Sequence, residues 1–376
     1  MTPPGRPGGD APDPWADLRG AIDGIDEALL DLLNQRAALA GEVARRKQER
    51  GAELYVPARE RAIIDRLQAR NPGPFPTGAI RPVFQEVISA CLRLEGGVRV
   101  SYLGPEATFT HQAVKRHFGT SALTLPCGSI PGVFAEVERG EAEFGVVPVE
   151  NSSEGAVTHT LDSFLDSPLA IAAEIHVPIE HCLLARPGIG EAELERVYSH
   201  PQALAQCRDW LAANLPRAAR VEAASTAEAA RAALQDGGGA AIASELAARL
   251  YGLTVLRSKL QDTADNSTRF LVLARPEGGH GDAPPADGAG YKTTVLLAFP
   301  DRAGALFDIL RPLSDARVNL TRIESRPSRR RAWDYVFFLE LDGHRRDAAI
   351  APVLDRLATD CQLFKVLGSY RKADVT

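Results

Sequence analysis

Two sets of residues in this 376-residue chain have types and spacings suited to chemistry on a small charged molecule. The first set is cationic. From Leu18 an apolar seam runs through Ile22, Ile25, Leu29, Leu32, Leu39 and Val43 in steps of three and four, as on a packed helix face, and the position it skips is Arg36. Lys47 follows Arg36 by eleven residues, close to three turns, so both lie on one face roughly 16 Å apart along the axis. Two long cationic side chains leaning together can clasp a small dianion, whereas Arg36 alone reads equally well as a side chain snorkelling at the edge of a core. Arg19 precedes Arg36 by seventeen residues, roughly 25 Å of straight helix, so it reaches the same small ligand only from a second, antiparallel copy.

The second set is neutral and polar. Four clusters rich in hydroxyls and amides sit at the ends of apolar runs: residues 104–109 after 98–103, 149–153 after 144–149, 199–202 after 194–198, and 265–270 before the run 270–273. Placed at strand ends, four such clusters can line one cleft. Taken singly, Asn151, Ser199, Gln206 and Thr268 read as ordinary turn, cap or surface residues. Ser199 and His200 are adjacent, but neighbouring side chains need not face one another, and there is no Gly-x-Ser-x-Gly turn to present a nucleophile.

The elements that must carry these residues fall into three segments. Two or three domains are expected from the length. Residues 1–14, rich in Pro and Gly and without an apolar run, predict a disordered tail, neither a signal peptide nor a membrane span. Residues 15–96 predict three helices: a long one, a second starting at Pro57, and a third from about Thr77 to Glu95 with Pro82 in its first turns. Residues 97–275 alternate short β-like runs with helical patterns, including a helix over 202–213, as in a two-lobed α/β domain. Residues 276–290, full of Gly, Pro and Ala, predict a linker, and residues 291–376 follow the βαββαβ order of a ferredoxin-like α+β domain.

Composition excludes several classes of function. Lys+Arg 43 against Asp+Glu 49 gives a net charge of -6, without the basic excess that nucleic-acid binding requires. The 5 cysteines are odd in number and scattered, with no Cys-x-x-Cys pair, which favours a reduced, cytoplasmic setting over a disulfide framework or zinc site. No phosphate-binding glycine loop follows a strand and the 8 histidines are dispersed, so no metal or organic cofactor is expected.

In combination and in order, the four polar clusters resemble prephenate dehydratase over residues 98–273, with Ala107 standing where that family usually has glycine. The resemblance implies expulsion of the ring hydroxyl of prephenate together with carbon dioxide, leaving phenylpyruvate. Hydroxide is a poor leaving group, so a donor must reach it, while the ring carboxylate departs more readily from a less polar place. It makes Thr268 the essential hydroxyl, assigned to the leaving oxygen. Asn151, Ser199 and Gln206 orient the substrate, with Glu150 and Thr108 behind them, and Arg269 either positions a carboxylate or forms an internal ion pair.

Residues 18–95 are similar to the all-helical class of chorismate mutase, in which an intertwined dimer builds each site from both chains. Carried over by position, Arg19 is the arginine donated by the partner, Arg36 and Arg59 hold substrate carboxylates, Lys47 serves the ether oxygen and a carboxylate, and Glu60 accepts the substrate hydroxyl. Cys91 stands where that class often has serine and Glu95 where it often has glutamine. The implied reaction is a rearrangement without proton transfer, so the protein can only hold the compact conformer and stabilise charge on the ether oxygen. A glutamine donates there at any pH, a glutamate only when protonated.

The last segment resembles an ACT domain, a module binding amino acids between paired copies. The matching positions are Gly304, Ala305 and Leu306 at a helix start and Glu324, Ser325, Arg326 and Pro327 at a strand end. The three resemblances together imply a homo-oligomeric enzyme, at least a dimer, that takes chorismate and prephenate and is inhibited by phenylalanine. The competing expectations are a monofunctional dehydratase with a helical dimerisation segment and a non-catalytic small-molecule sensor.

Overall fold

The computed structural model describes residues 15–50, 55, 57–263, 265–276, 290–328 and 335–373. The expected tail and nearly all of the expected linker lie outside these residues. Among the described residues no helix is long and apolar enough to cross a membrane.

The first segment is three helices, α1 (Ala16–Glu49), α2 (Pro57–Ala69) and α3 (Thr77–Leu94). Pro57 opens α2, where its missing N–H costs nothing, and Pro82 is accommodated inside α3. Only the C-terminal part of α1 finds cover in its own chain: Ala44 is buried, whereas Leu18, Ile22, Ile25 and Leu29 are each more than half exposed.

The central segment begins with one lobe built from β1 (Arg99–Leu103), α4 (Phe109–Phe118), β2 (Leu123–Cys127), α5 (Ile130–Glu138), β3 (Phe144–Asn151), β4 (Gly155–Ala156), α6 (Thr158–Ser163) and β5 (Ala170–Pro178). The chain then crosses into a second lobe: β6 (Cys182–Ala185), β7 (Arg196–Ser199), α7 (Pro201–Gln206), α8 (Arg208–Asn214), β8 (Ala219–Glu222), α9 (Thr226–Gln235), β9 (Gly239–Ala243), α10 (Glu245–Tyr251) and β10 (Thr254–Arg257). It returns through β11 (Ser267–Ala274), which enters the first sheet between β3 and β5, antiparallel to both. The sheet orders are β2-β1-β3-β11-β5, with β4 beside β3, and β10-β6-β9-β7-β8. The two crossing segments bond to each other, Ile179 N–H to the Asn266 carbonyl at 2.9 Å and Leu260 N–H to the His181 carbonyl at 3.0 Å. These crossings join the two lobes, so a cleft opening between the lobes has them as its floor.

Two local expectations are corrected. The helix expected over 202–213 is two helices broken at Cys207, because the Asp262 carboxylate accepts the Asp209 and Trp210 N–H groups and caps a new helix start. The last strand starts at Ser267 instead of Phe270, so Thr268 and Arg269 are strand residues, opposite Asn151 and Glu150 of β3. A register shift follows directly, between Arg269 and Phe270.

The final segment is β12 (Tyr291–Ala298), α11 (Ala305–Asp315), β13 (Leu320–Pro327), β14 (Tyr335–Asp342), α12 (Ala351–Asp360) and β15 (Leu363–Arg371), in sheet order β13-β14-β12-β15. This is the expected βαββαβ arrangement. One face of the sheet buries α11 and α12 through Val295, Ile309, Leu313 and Leu357. Its other face joins the first lobe's core, where Leu296, Phe338, Leu367 and Tyr370 pack with Val147, Ile171 and Leu271. Gly368 permits that approach: a Cβ there would collide with the Ile171 carbonyl oxygen.

Candidate functional site

The polar groups on the cleft floor form one hydrogen-bonded chain. Asn151 Oδ1 accepts the N–H groups of Ser153 (3.0 Å) and Glu154 (3.3 Å), which fixes the orientation of its amide. Asn151 Nδ2 then donates to Thr268 Oγ1 at 2.9 Å and to Asn266 Oδ1 at 3.0 Å. Asn266 Nδ2 donates to Gln206 Oε1 at 3.1 Å, and the same oxygen meets His181 Nε2 at 2.9 Å. Since that oxygen only accepts, His181 carries its proton on Nε2, and burial holds its pKa below the ordinary value, opposed by the bond to Gln206. Two buried atoms at the end of the chain, Gln206 Nε2 and His181 Nδ1, have no partner. They are a donor and an acceptor, the pair a bound polar ligand would satisfy.

The expected residues distribute unevenly over this network. Thr268, Asn151 and Gln206 are brought together. Ser199 is fully buried in the second lobe with its hydroxyl donated to the Ile242 carbonyl at 2.7 Å, and is not part of the chain of bonds. Thr108 caps α4 and donates to the Pro105 carbonyl at 3.0 Å. Ala107 keeps the backbone of a glycine, φ 69°, at a cost of roughly 1–2 kcal/mol for an L-residue. Its N–H and carbonyl are both satisfied, by His111 Nδ1 and Ser244 Oγ, each at 3.1 Å.

Of the two roles open to Arg269, the observed contacts are those of an internal ion pair. Its guanidinium donates to Glu340 of β14 at 2.5 and 2.7 Å, and meets Glu174 and Glu150 at 3.3 Å. Lys292 bonds Glu174 and Glu340, each at 3.0 Å. Burial works against the charge on Glu340, yet its bonds to Arg269 and Lys292 hold its carboxyl down to about 2. Arg269 therefore reaches into the interface with the last domain.

The helical segment holds a second pocket of about 260 Å³, lined by Arg36, Lys47, Arg59, Glu60, Cys91 and Glu95 among apolar residues including Leu39, Val43 and Ile88. Three helices meet there, and six of the seven expected residues converge, all but Arg19. Arg36 Nη1 donates to Cys91 Sγ at 2.9 Å, so the thiol takes the place of a hydroxyl acceptor. Burial lifts the Glu60 carboxyl to about 7, against a hydrogen bond from Tyr55. Burial also raises Glu95, partly offset by Lys47 and Arg36. Arg19, on the uncovered part of α1, does not line this pocket.

In the last domain β12 and β13 both run antiparallel to β14, so their C-terminal ends lie at one end of the sheet, two strand spacings or roughly 10 Å apart. Gly304, with φ 81°, caps α11 there, followed by buried Ala305 and exposed Leu306. Glu324, Ser325 and Pro327 lie on the edge strand at the same end. Arg326 is held by Asp162 of α6 at 3.2 Å, a contact between domains.

Sequence reasoning missed Asn266, the hinge of the cleft network, and His181. Asn266 lay inside a cluster already singled out, but His181 carries no local signal; it becomes part of the site only because both crossing segments meet. Tyr55 was missed too. It lies against Phe118 and Phe144 of the first lobe, at ring separations of 5.8 and 5.6 Å, while its hydroxyl bonds Glu60.

Comparison with known proteins agrees with this three-part construction. The family models for chorismate mutase type II, prephenate dehydratase and the ACT domain match residues 18–96, 100–278 and 293–359. A bifunctional chorismate mutase/prephenate dehydratase of Aquifex aeolicus is 47% identical over 362 residues, covering 95% of this chain and 98% of that protein. Among solved structures, a prephenate dehydratase from Arthrobacter aurescens in complex with L-Phe is 38% identical, covers 74% of this chain and 92% of its own, and has a TM-score of 0.68. A structure described as a novel type of quorum quenching acylase, GqqA, is 30% identical over 73% of this chain and 98% of its own, with a TM-score of 0.67. The chain, 47% identical over 95% of its length to the Aquifex aeolicus relative and matched by the models for both enzyme domains, belongs to the bifunctional chorismate mutase/prephenate dehydratase family.

Proposed function

We propose that this chain rearranges chorismate to prephenate in the helical pocket, converts prephenate to phenylpyruvate in the cleft, and is inhibited by phenylalanine through its last domain. The observation that carries the reading is the convergence of Arg36, Lys47, Arg59, Glu60, Cys91 and Glu95 on one pocket in a chain that also carries the Thr268–Asn151 network. A sensor needs neither, and a purely dimerising helical segment has no use for six polar groups gathered at one cavity. Incubating the protein with chorismate and following both its loss and the appearance of phenylpyruvate tests both activities. Loss without phenylpyruvate, or turnover only of added prephenate, leaves one half of the proposal standing and removes the other.

In the pocket, the cations bind the two carboxylates and hold the compact conformer, and Lys47 and Glu95 face the ether oxygen. Glu95 donates only as the acid, so the mutase rate should fall as pH rises through its pKa in the complex. Burial already raises that pKa, and the substrate carboxylates raise it further. Glu60 acts in the opposite sense: it accepts the substrate hydroxyl as a carboxylate, and this contribution is lost as pH falls through about 7. Glu95→Gln should therefore remove the alkaline fall and leave the acid limb. Rate profiles of both proteins from about pH 5 to pH 9 check this; an alkaline limb identical in the two excludes Glu95 as the donor.

In the cleft, the Asn151 amide occupies a lone pair of Thr268 Oγ1, leaving the hydroxyl hydrogen to turn toward the departing oxygen. Gln206 Nε2 and His181 Nδ1 supply a donor and an acceptor that orient the substrate. Arg269 connects this chemistry to the last domain, since it follows Thr268 in β11 and its guanidinium is held by Glu340.

For the effector, the start of α11, where Gly304 offers no side-chain cap, suits a carboxylate. The glycine's open surroundings leave room for a ligand, since a side chain there would meet no atom beyond its chain neighbours within 4 Å. Gly304→Val places a β-branched residue at φ 81°, which disfavours the observed backbone. Phenylalanine inhibition should weaken by about 5–150-fold, the usual range of such coupling, while the uninhibited rate stays near wild type. Titrating activity with phenylalanine for both proteins measures this, and equal sensitivity rules the site out. Dimer formation is part of the same proposal, supported by the uncovered apolar seam of α1.

A further inference from the structure

A cavity of about 620 Å³ lies where the three domains meet, next to the helical pocket and apart from the cleft network. The helical segment contributes Arg61 and Arg81, the first lobe Arg116 and His117, and the end of β15 Arg371. Of the three carboxylates in its wall, Glu60 is lifted by burial to about 7, and the other two are already matched. Asp65 lies 3.1 Å from Arg371 and 3.7 Å from Arg81, and Glu174 is held by Arg269, Lys292 and the Ala373 N–H. Arg61 is the exception among the cations: it makes no hydrogen bond or ion pair with any described residue. Its charged neighbours are Arg371 and Arg81, of like sign, and the Glu60 carboxyl, which burial keeps partly protonated at neutral pH by lifting it to about 7. Burial lowers the pKa of Arg61, and the nearby Arg371 lowers it further. Burial, with Arg61 and Arg81 adding to it, likewise depresses His117 to about 3, so the imidazole is neutral. Three domains thus present converging positive charge to one cavity.

Such an arrangement costs stability unless something negative offsets it, and guanidinium forks match planar or tetrahedral oxyanions. We propose that this junction cavity is a binding site for a small oxyanion of two or more negative charges, carboxylate or phosphate, held by Arg61, Arg116 and Arg371. The site spans all three domains, so the ligand fastens them to one another. Tyr55 and Glu60 line both this cavity and the helical pocket, making one wall common to the two.

The test is calorimetry and thermal melting of the full-length protein with citrate and, separately, inorganic phosphate. Saturable binding is expected, with the tighter of the two probes identifying the source of the anion. Arg61→Gln should weaken it by about tenfold or more, the loss of a charge-assisted contact. Without probe, the Arg61→Gln midpoint should equal or exceed that of wild type, as expected for a cation lacking a partner; a purely structural arginine would lower it. Arg116→Gln, at an exposed position, gives the same reading should Arg61→Gln fold poorly. Arg36→Ala, in the helical pocket, should leave probe affinity within about twofold. The proposal is overturned by the absence of saturable binding of either probe, by equal affinity in wild type, Arg61→Gln and Arg116→Gln, or by affinity that moves with Arg36 instead.

Discussion

Replacing Thr268 with alanine is expected to lower phenylpyruvate formation by about 10²–10⁴-fold, the contribution of a positioned proton donor, while chorismate is still converted to prephenate. Thr268 is paired opposite Asn151 and receives the Asn151 amide at 2.9 Å, and no residue of this network lines the helical pocket. Prephenate should therefore accumulate. Thr268→Ser should restore part of the rate, because the hydroxyl is kept and only the methyl that fixes its rotamer is lost. Asn151→Ala should also impair the reaction while leaving a hydroxyl at 268, since it removes the group that orients it. Measuring prephenate and phenylpyruvate separately distinguishes these outcomes. An alanine variant retaining most dehydratase activity would reduce Thr268 to a residue of β11 and withdraw the assignment.

The segments were legible wherever periodicity is strong. The seam from Leu18 to Val43 marks α1 because a helix repeats its face every three to four residues, and the βαββαβ order follows from short alternations separated by turns. Thr268 was legible as a residue but not as a strand position: the pairing of Ser267–Ala274 with both β3 and β5 extends the strand over polar residues whose composition suggests a loop. Distances across the chain were not legible. His181 and Gln206 are neighbours only because the chain leaves and re-enters the first lobe at the same place, and Arg269 meets Glu340 only because the last domain's sheet lies on the first lobe's core. Nor does Arg61 announce itself, since one more arginine on an exposed helix is indistinguishable in sequence from one lining a cavity formed with two other domains.

Mixing Arg19→Ala protein with Arg36→Ala protein is expected to regain mutase activity that neither has alone. Removing either arginine should cost about 10²–10³-fold, as for a group that stabilises charge directly. Within one chain Arg36 lines the pocket and Arg19 does not, and the intervening part of α1 exposes Leu18, Ile22, Ile25 and Leu29. An uncovered apolar stripe of this length favours a second helix lying along it, and a two-fold pairing of antiparallel α1 helices would carry each Arg19 toward the other chain's Arg36. A mixed dimer then has one site with both arginines and one with neither. With free exchange half the dimers are mixed, so activity should recover to about a quarter of wild type. The recovery must depend on exchange, appearing over the time in which labelled subunits mix and failing to appear when they are kept from doing so. Full exchange without recovery would place Arg19 outside the site and leave the seam of α1 as a dimer contact alone.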